Sequence, residues 1–136
     1  MHFRTFVAGM AIVSLFGAAP AFAAVCLDKS MTIDEIADAI SATPSCERAM
    51  NLFKDCALSS GGDTQLGAAV EKKCEGDFLP GLKPPAKAAY RREMRVCDRK
   101  YRNESGTMYL SFTAFCRAEV AQRYSHHALK TAGRAR

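Results

Sequence analysis

The sequence predicts an all-α fold, a small disulfide-stapled bundle of about five helices. Three observations carry that prediction. Apolar residues recur at the three- and four-residue spacing of a helix face in five stretches, separated by Pro, Gly, Ser and Asn. No β-hairpin signal, internal repeat or low-complexity segment competes with them. All six cysteines lie beyond residue 23, after a segment with the character of an export signal, and an even set in an exported chain reads as three disulfides. A content of 49% hydrophobic and 24% charged residues excludes disordered, collagen-like and coiled-coil chains.

Residues 1–23 read as a cleaved secretory signal peptide. Arg4 supplies the basic start, Phe6 to Ala19 the apolar run, Pro20 the break, and Ala21-Phe22-Ala23 the small-x-small cleavage pattern. Gly9, Ser14, Gly17 and Pro20 interrupt the run, which argues against a membrane anchor. Lipidation of Cys26 is disfavoured by Ala23 and the β-branched Val25 before it, and it would leave five thiols, an odd number. Residues 24–136 are therefore expected to form a single helical domain, periplasmic or secreted, and long enough to bury a real core.

The helices follow in order. Ile33, Ile36, Ala37 and Ile40 mark the first, behind Thr32 and the acidic pair Asp34-Glu35, and it stops before Pro44. Cys46, Ala49, Met50, Phe53, Cys56 and Ala57 form the stripe of the second, which ends at Ser59-Ser60-Gly61-Gly62. Asp63 is expected to cap the third, with Leu66, Val70 and Cys74 in line and Pro80-Gly81 closing it after Phe78 and Leu79. Pro84-Pro85 opens a long fourth helix whose inward residues are Ala86, Tyr90, Met94, Cys97 and Tyr101, up to a break at Asn103-Glu104-Ser105-Gly106. The fifth carries Met108, Phe112, Phe115, Cys116, Val120 and Tyr124 on its inward face and gives way to a flexible polar tail after about Leu129.

Helices joined by short loops run antiparallel, so cysteines equidistant from a turn face each other. Cys97 and Cys116 lie 9 and 10 residues from Gly106, Cys46 and Cys74 about 14 each from Ser60-Gly61, and Cys26 and Cys56 about 17 and 13 from Thr43. Cys46 and Cys56 point about 80° apart on their helix, as residues serving different neighbours should. The favoured pairs are thus Cys97 with Cys116, Cys46 with Cys74 and Cys26 with Cys56, out of fifteen formal connectivities.

Charge is divided along the chain. Residues 24–79 hold ten acidic and five basic side chains; residues 80–136 hold thirteen basic and four acidic. Lys83, Lys87, Arg91, Arg92, Arg95, Arg99, Lys100 and Arg102 crowd the fourth helix and make a cationic surface. Arg91, Arg92, Arg95 and Arg99 are the candidate anion-binding residues, suited to anionic lipid or envelope polymer, with a solvated face as the plain alternative. Nucleic acid is not expected, since no stacking aromatics share that face. No catalytic residues are assigned: no Ser, Cys or Thr sits in an elbow or triad motif, and the cysteines are expected to be oxidised. His126-His127 reads as an exposed tail, the four tyrosines as core or core-edge residues, and without a Cys-x-x-Cys pair no metal or cofactor is expected.

Between Cys46 and Leu129 several short motifs recur together. Cys46 and Cys56 are ten apart with Phe53 three before the second, and Asp63-Thr64-Gln65-Leu66 makes an Asp-x-x-Leu helix start. Cys97 is followed by Glu104-Ser105-Gly106-Thr107-Met108, by Cys116 ten residues after the glycine, and by a closing Arg123 and Leu129. In these pieces the chain resembles the LprI family of bacterial lysozyme inhibitors, small exported helical domains with paired cysteines. It departs from that family in lacking a Trp in the stretch Ala86 to Cys97, and in Cys26 and Cys74, which are additional. The resemblance implies an exported, non-enzymatic binding protein directed at lysozyme or another envelope-directed protein. The alternative is a structural or stress-related periplasmic protein that docks on anionic envelope surfaces through its basic helix.

Overall fold

The computed structural model describes Cys26 and residues 31–135, so the proposed signal peptide lies outside the described residues. Five helices make up the domain: α1 (Ile33–Ala42), α2 (Cys46–Cys56), α3 (Asp63–Phe78), α4 (Pro84–Lys100) and α5 (Thr107–Arg134). A single 3-10 turn, Leu79–Gly81, links α3 to α4. No strand occurs among the described residues.

The boundaries have local causes. At the start of α1, the Glu35 N–H donates to Thr32 Oγ1 at 3.3 Å and the Thr32 N–H donates to Glu35 Oε2 at 2.7 Å, a reciprocal capping box. Ser45 caps α2 by accepting the Arg48 N–H, and buried Thr43 closes the turn between them by donating to the Ile40 carbonyl. Two prolines at the first positions of α4 cost no helical hydrogen bond. Gly106, at φ 111°, makes the sharp entry into α5 that a residue with a Cβ resists.

Three disulfides join Cys26 to Cys56, Cys46 to Cys74 and Cys97 to Cys116, with Cα separations of 5.2, 4.6 and 5.6 Å. These are the pairs that the turn distances favour.

Two apolar clusters fill the bundle. One joins α1, α2, α3 and the first half of α5 around Ile40, Met50, Phe53, Leu66 and Val70, with Phe53 stacked on Phe115 at 4.3 Å between ring centroids. The other joins the end of α3 to α4 and α5 around Phe78, Tyr90, Met94, Cys97 and Val120. Phe78, Tyr90 and Tyr124 meet there at 5.0–5.5 Å.

The face of α5 differs from the expected one. Its buried residues are Ser111, Ala114, Ala118, Val120, Ala121 and Ser125, whereas Met108 and Phe112 are exposed. Small side chains let α5 approach α3 closely: a Cβ added to Gly67 would lie 2.9 Å from the Cβ of Ala114. The two helices run parallel, since Asp63 meets Ser111 and Asp77 meets Ser125 at the same sequence separation of 48. α4 returns antiparallel between them in the chain. α5 also runs to Arg134, so the segment after Leu129, expected as a polar tail, is helical. Its Ala128, Ala132 and Lys130 are strong helix formers that carry the helix on.

Asp63 does not act as a cap either. It is the first residue of α3, behind Gly62, and its buried carboxylate reaches back to the preceding loop. It accepts the Leu58 N–H at 3.0 Å and the Ser60 N–H at 3.3 Å.

Candidate functional site

α4 divides its charges between two faces. Tyr90, Met94 and Cys97 face the core, and Arg91, Arg92, Arg95 and Arg99 are all exposed. A residue advances 100° around an α-helix, so Arg92, Arg95 and Arg99 lie opposite the buried line, with Arg91 and Lys87 on one flank. A shallow depression lined by Pro84, Lys87, Ala88, Arg91, Arg92 and Arg95 runs along this side. From Lys87 to Arg99 the cationic row is about 18 Å long at the rise of an α-helix.

Both carboxylates of α4 are engaged by α5, Asp98 from the flank it shares with Arg91 and Glu93 from the opposite flank. Glu93 accepts a hydrogen bond from the Tyr124 hydroxyl at 2.7 Å and pairs with Arg123 of α5. The Tyr124 hydrogen bond, with Arg123 beside it, holds the Glu93 carboxyl below its usual range. Asp98 pairs with Arg117 of α5 at 2.7 Å, and the same guanidinium binds Glu71 of α3 through two N–H donors at 2.8 and 3.0 Å. The hydrogen bonds to Glu71 and Asp98 raise the Arg117 pKa still further, so this cation is permanent. Among the described residues none of Arg91, Arg92, Arg95 and Arg99 forms an ion pair. The sequence shows the cations; that both acidic neighbours are consumed by α5 emerges only from the packing.

A second concavity was not visible in the sequence. A groove of about 700 Å³ lies between the 3-10 turn, the start of α4 and the end of α5, walled by Phe78, Leu82, Ala86 and Ala128, with Arg123 and His127 contributing polar groups. The Ser125 hydroxyl beside it donates directly to Asp77, with no histidine interposed to act as a base. The groove forms only because α5 continues past Leu129, and an alternation of Ala128 and Ala132 one turn apart is the sole trace of it in the sequence.

The buried Tyr90 hydroxyl donates to Glu75 at 2.9 Å, and burial together with that carboxylate pushes its pKa far up. His126 and His127 are exposed on α5. All six cysteines are in disulfides. Among the described residues no cluster of His, Cys, Asp and Glu is arranged to hold a metal ion, and no helix is long and apolar enough to cross a membrane.

No family profile, curated protein or solved structure matches the chain significantly.

Proposed function

We propose that this protein is an exported, non-enzymatic binding protein that docks on anionic envelope surfaces through the outward face of α4. One observation carries the reading: among the described residues the row of Arg91, Arg92, Arg95 and Arg99 stands without carboxylate partners while Glu93 and Asp98 are held by α5. Unpaired cations on a rigid helix form a field that attracts polyanions over a Debye length, about 10 Å at 0.1 M salt. The three disulfides are compatible with an oxidising compartment, and the signal-like residues 1–23 point to the periplasm or exterior. The test is retention of the oxidised protein on vesicles containing phosphatidylglycerol, or on an anionic envelope polymer, across a salt series. Retention is expected to weaken steeply with salt and to vanish when Arg91, Arg92, Arg95 and Arg99 are all changed to Gln, with the circular dichroism spectrum unchanged. Equal retention of the variant would refute the reading.

A second reading, inhibition of lysozyme or capture of another envelope-directed protein, rests on the resemblance to the LprI family. Lysozyme is cationic, and exposed Asp38, Glu47 and Asp55 supply acidic groups on α1 and α2, which pack in the apolar cluster that α4 does not join. On this reading the wild-type protein slows lysozyme, and the four Arg→Gln changes leave inhibition intact or improve it. A protein that neither slows lysozyme nor binds anionic surfaces would defeat both.

A further inference from the structure

Exposed apolar side chains gather at one end of the bundle. Leu58 is 68% exposed, Met108 45%, Leu110 50% and Phe112 39%, and these are four of the six large hydrophobic residues exposed among the described residues. Single exposed hydrophobics are ordinary, but a group at one place calls for a reason. The packing puts Leu58 and the first turns of α5 at the same end, with Met108 and Phe112 on one side of α5 and Leu110 on the other, against α3. The Leu58 N–H bonds to Asp63, whose other oxygen accepts from Ser111 in the first turns of α5, so the loop after α2 and the start of α5 share an end. A Cβ on Gly61 would lie 3.9 Å from Thr107 Cγ2, which fixes the same proximity.

Aromatic rings pack together at this end. Phe112 lies 5.6 Å from Tyr101 and 5.9 Å from Tyr109, and the two tyrosines lie 6.0 Å from each other. Lys100 Nζ stands 5.1 Å from the centre of the Tyr101 ring. Arg99, Lys100 and Arg102 are all exposed here, and Glu104 is the only carboxylate from residue 99 to residue 112. Tyrosines with an apolar side chain ahead of them and cations around them are the combination that settles at the boundary between lipid headgroups and acyl chains. An anionic polymer offers no apolar interior and leaves Met108 and Phe112 without gain on binding. A bilayer accommodates both halves of the surface.

We propose that the end of the bundle at the α4–α5 turn is a bilayer-inserting tip: Met108 and Phe112 enter the headgroup–acyl boundary of an anionic lipid bilayer while Arg99, Lys100 and Arg102 engage the headgroups. The inference rests on the anion-docking reading of α4 and specifies its surface as lipid.

The chain contains no Trp, so Phe112→Trp installs a single fluorescent reporter. With vesicles of phosphatidylcholine containing phosphatidylglycerol, its emission shifts to the blue and is quenched by bromine on the acyl chains. With phosphatidylcholine alone it does not change, and the control variant Ser41→Trp, at an exposed position on α1, stays water-like in both. The double change Met108→Ser and Phe112→Ser weakens partitioning roughly ten-fold without altering its salt dependence. If the protein sediments with anionic vesicles while the emission of the Phe112→Trp variant stays unshifted and the double variant binds as the wild type does, the tip inference is overturned and docking by α4 stands. If the wild-type protein ignores anionic vesicles altogether, lipid docking by α4 and the tip inference fall together. Loss of capture of an envelope protein by the double variant, with vesicle partitioning unchanged, marks the tip as a protein-binding surface and overturns the proposal.

Discussion

The Ser111 hydroxyl donates to the Asp63 carboxylate at 2.6 Å in the interior of the domain, and this one contact ties the start of α3, the loop before it and the start of α5. With the Leu58 and Ser60 N–H groups also directed at Asp63, the carboxylate accepts three hydrogen bonds and leaves none of those donors bare.

Replacing Asp63 by Ala should therefore cost about 3 kcal/mol, because the buried Ser111 hydroxyl and two part-buried N–H groups lose their acceptor together. Ser111→Ala, which removes one donor and leaves the other two bonds, should cost about 1 kcal/mol. Urea denaturation of the two variants beside the wild type reads both. Equal, small effects would show that water replaces the carboxylate in the loop.

Two glycines of α3 should respond with opposite sign. Gly67→Ala puts a Cβ 2.9 Å from the Ala114 Cβ and 3.1 Å from its backbone oxygen, neither of which can swing aside, and should destabilise the domain by about 1–3 kcal/mol. Gly76 has nothing within 4 Å, and Gly76→Ala should stabilise by about 0.5 kcal/mol through helix propensity alone. Thermal melts of the pair make the comparison.

Each cross-link should be worth about 2–4 kcal/mol through the unfolded chain, so reduction is expected to lower the melting temperature strongly. Peptide mapping of the non-reduced protein should recover Cys26–Cys56, Cys46–Cys74 and Cys97–Cys116. A Cys46–Cys56 peptide, or six free thiols, would refute this pairing.

Alkaline pH should loosen the second apolar cluster through Tyr90. Its folded-state pKa lies above the ordinary value of 10.0, so the unfolded chain releases that proton first. Stability due to Tyr90 is thus complete below pH 10 and falls as pH rises beyond it. Tyr90→Phe should flatten the decline, measured by urea midpoints between about pH 9 and pH 11.

How much of this is legible in the sequence depends on what each residue contributes to a periodic pattern. Thr32, Pro44, Ser59-Gly62, Pro84-Pro85 and Gly106 act through backbone chemistry, and the helix boundaries they predict lie within about three residues of those observed. The inward face of α5 escapes the same reading, because hydrophobicity counts Met108 and Phe112 heavily and passes over Ser111, Ala114, Ala118, Ala121 and Ser125. That second row has the three- and four-residue spacing of a helix face, and Gly67 opposite it is the matching gap. The cations of α4 are legible, whereas the withdrawal of Glu93 and Asp98 depends on Tyr124, Arg123 and Arg117 from another helix. The apolar end at Leu58, Met108 and Phe112 depends on tertiary proximity and leaves no local mark.

The parallel course of α3 and α5 bears on the order in which the chain can organise. An antiparallel hairpin such as α4–α5 closes a short loop, with Cys97 and Cys116 only 19 residues apart. The tightest helix pair instead joins residues 46 to 48 positions apart, and it cannot form until α4 has turned back. Loop closure over that span is the larger entropic hurdle. The transition state should accordingly already contain the α4–α5 hairpin and acquire the α3–α5 seam late. In kinetic terms, Gly67→Ala should mainly accelerate unfolding, whereas substitutions at Val120 should slow folding.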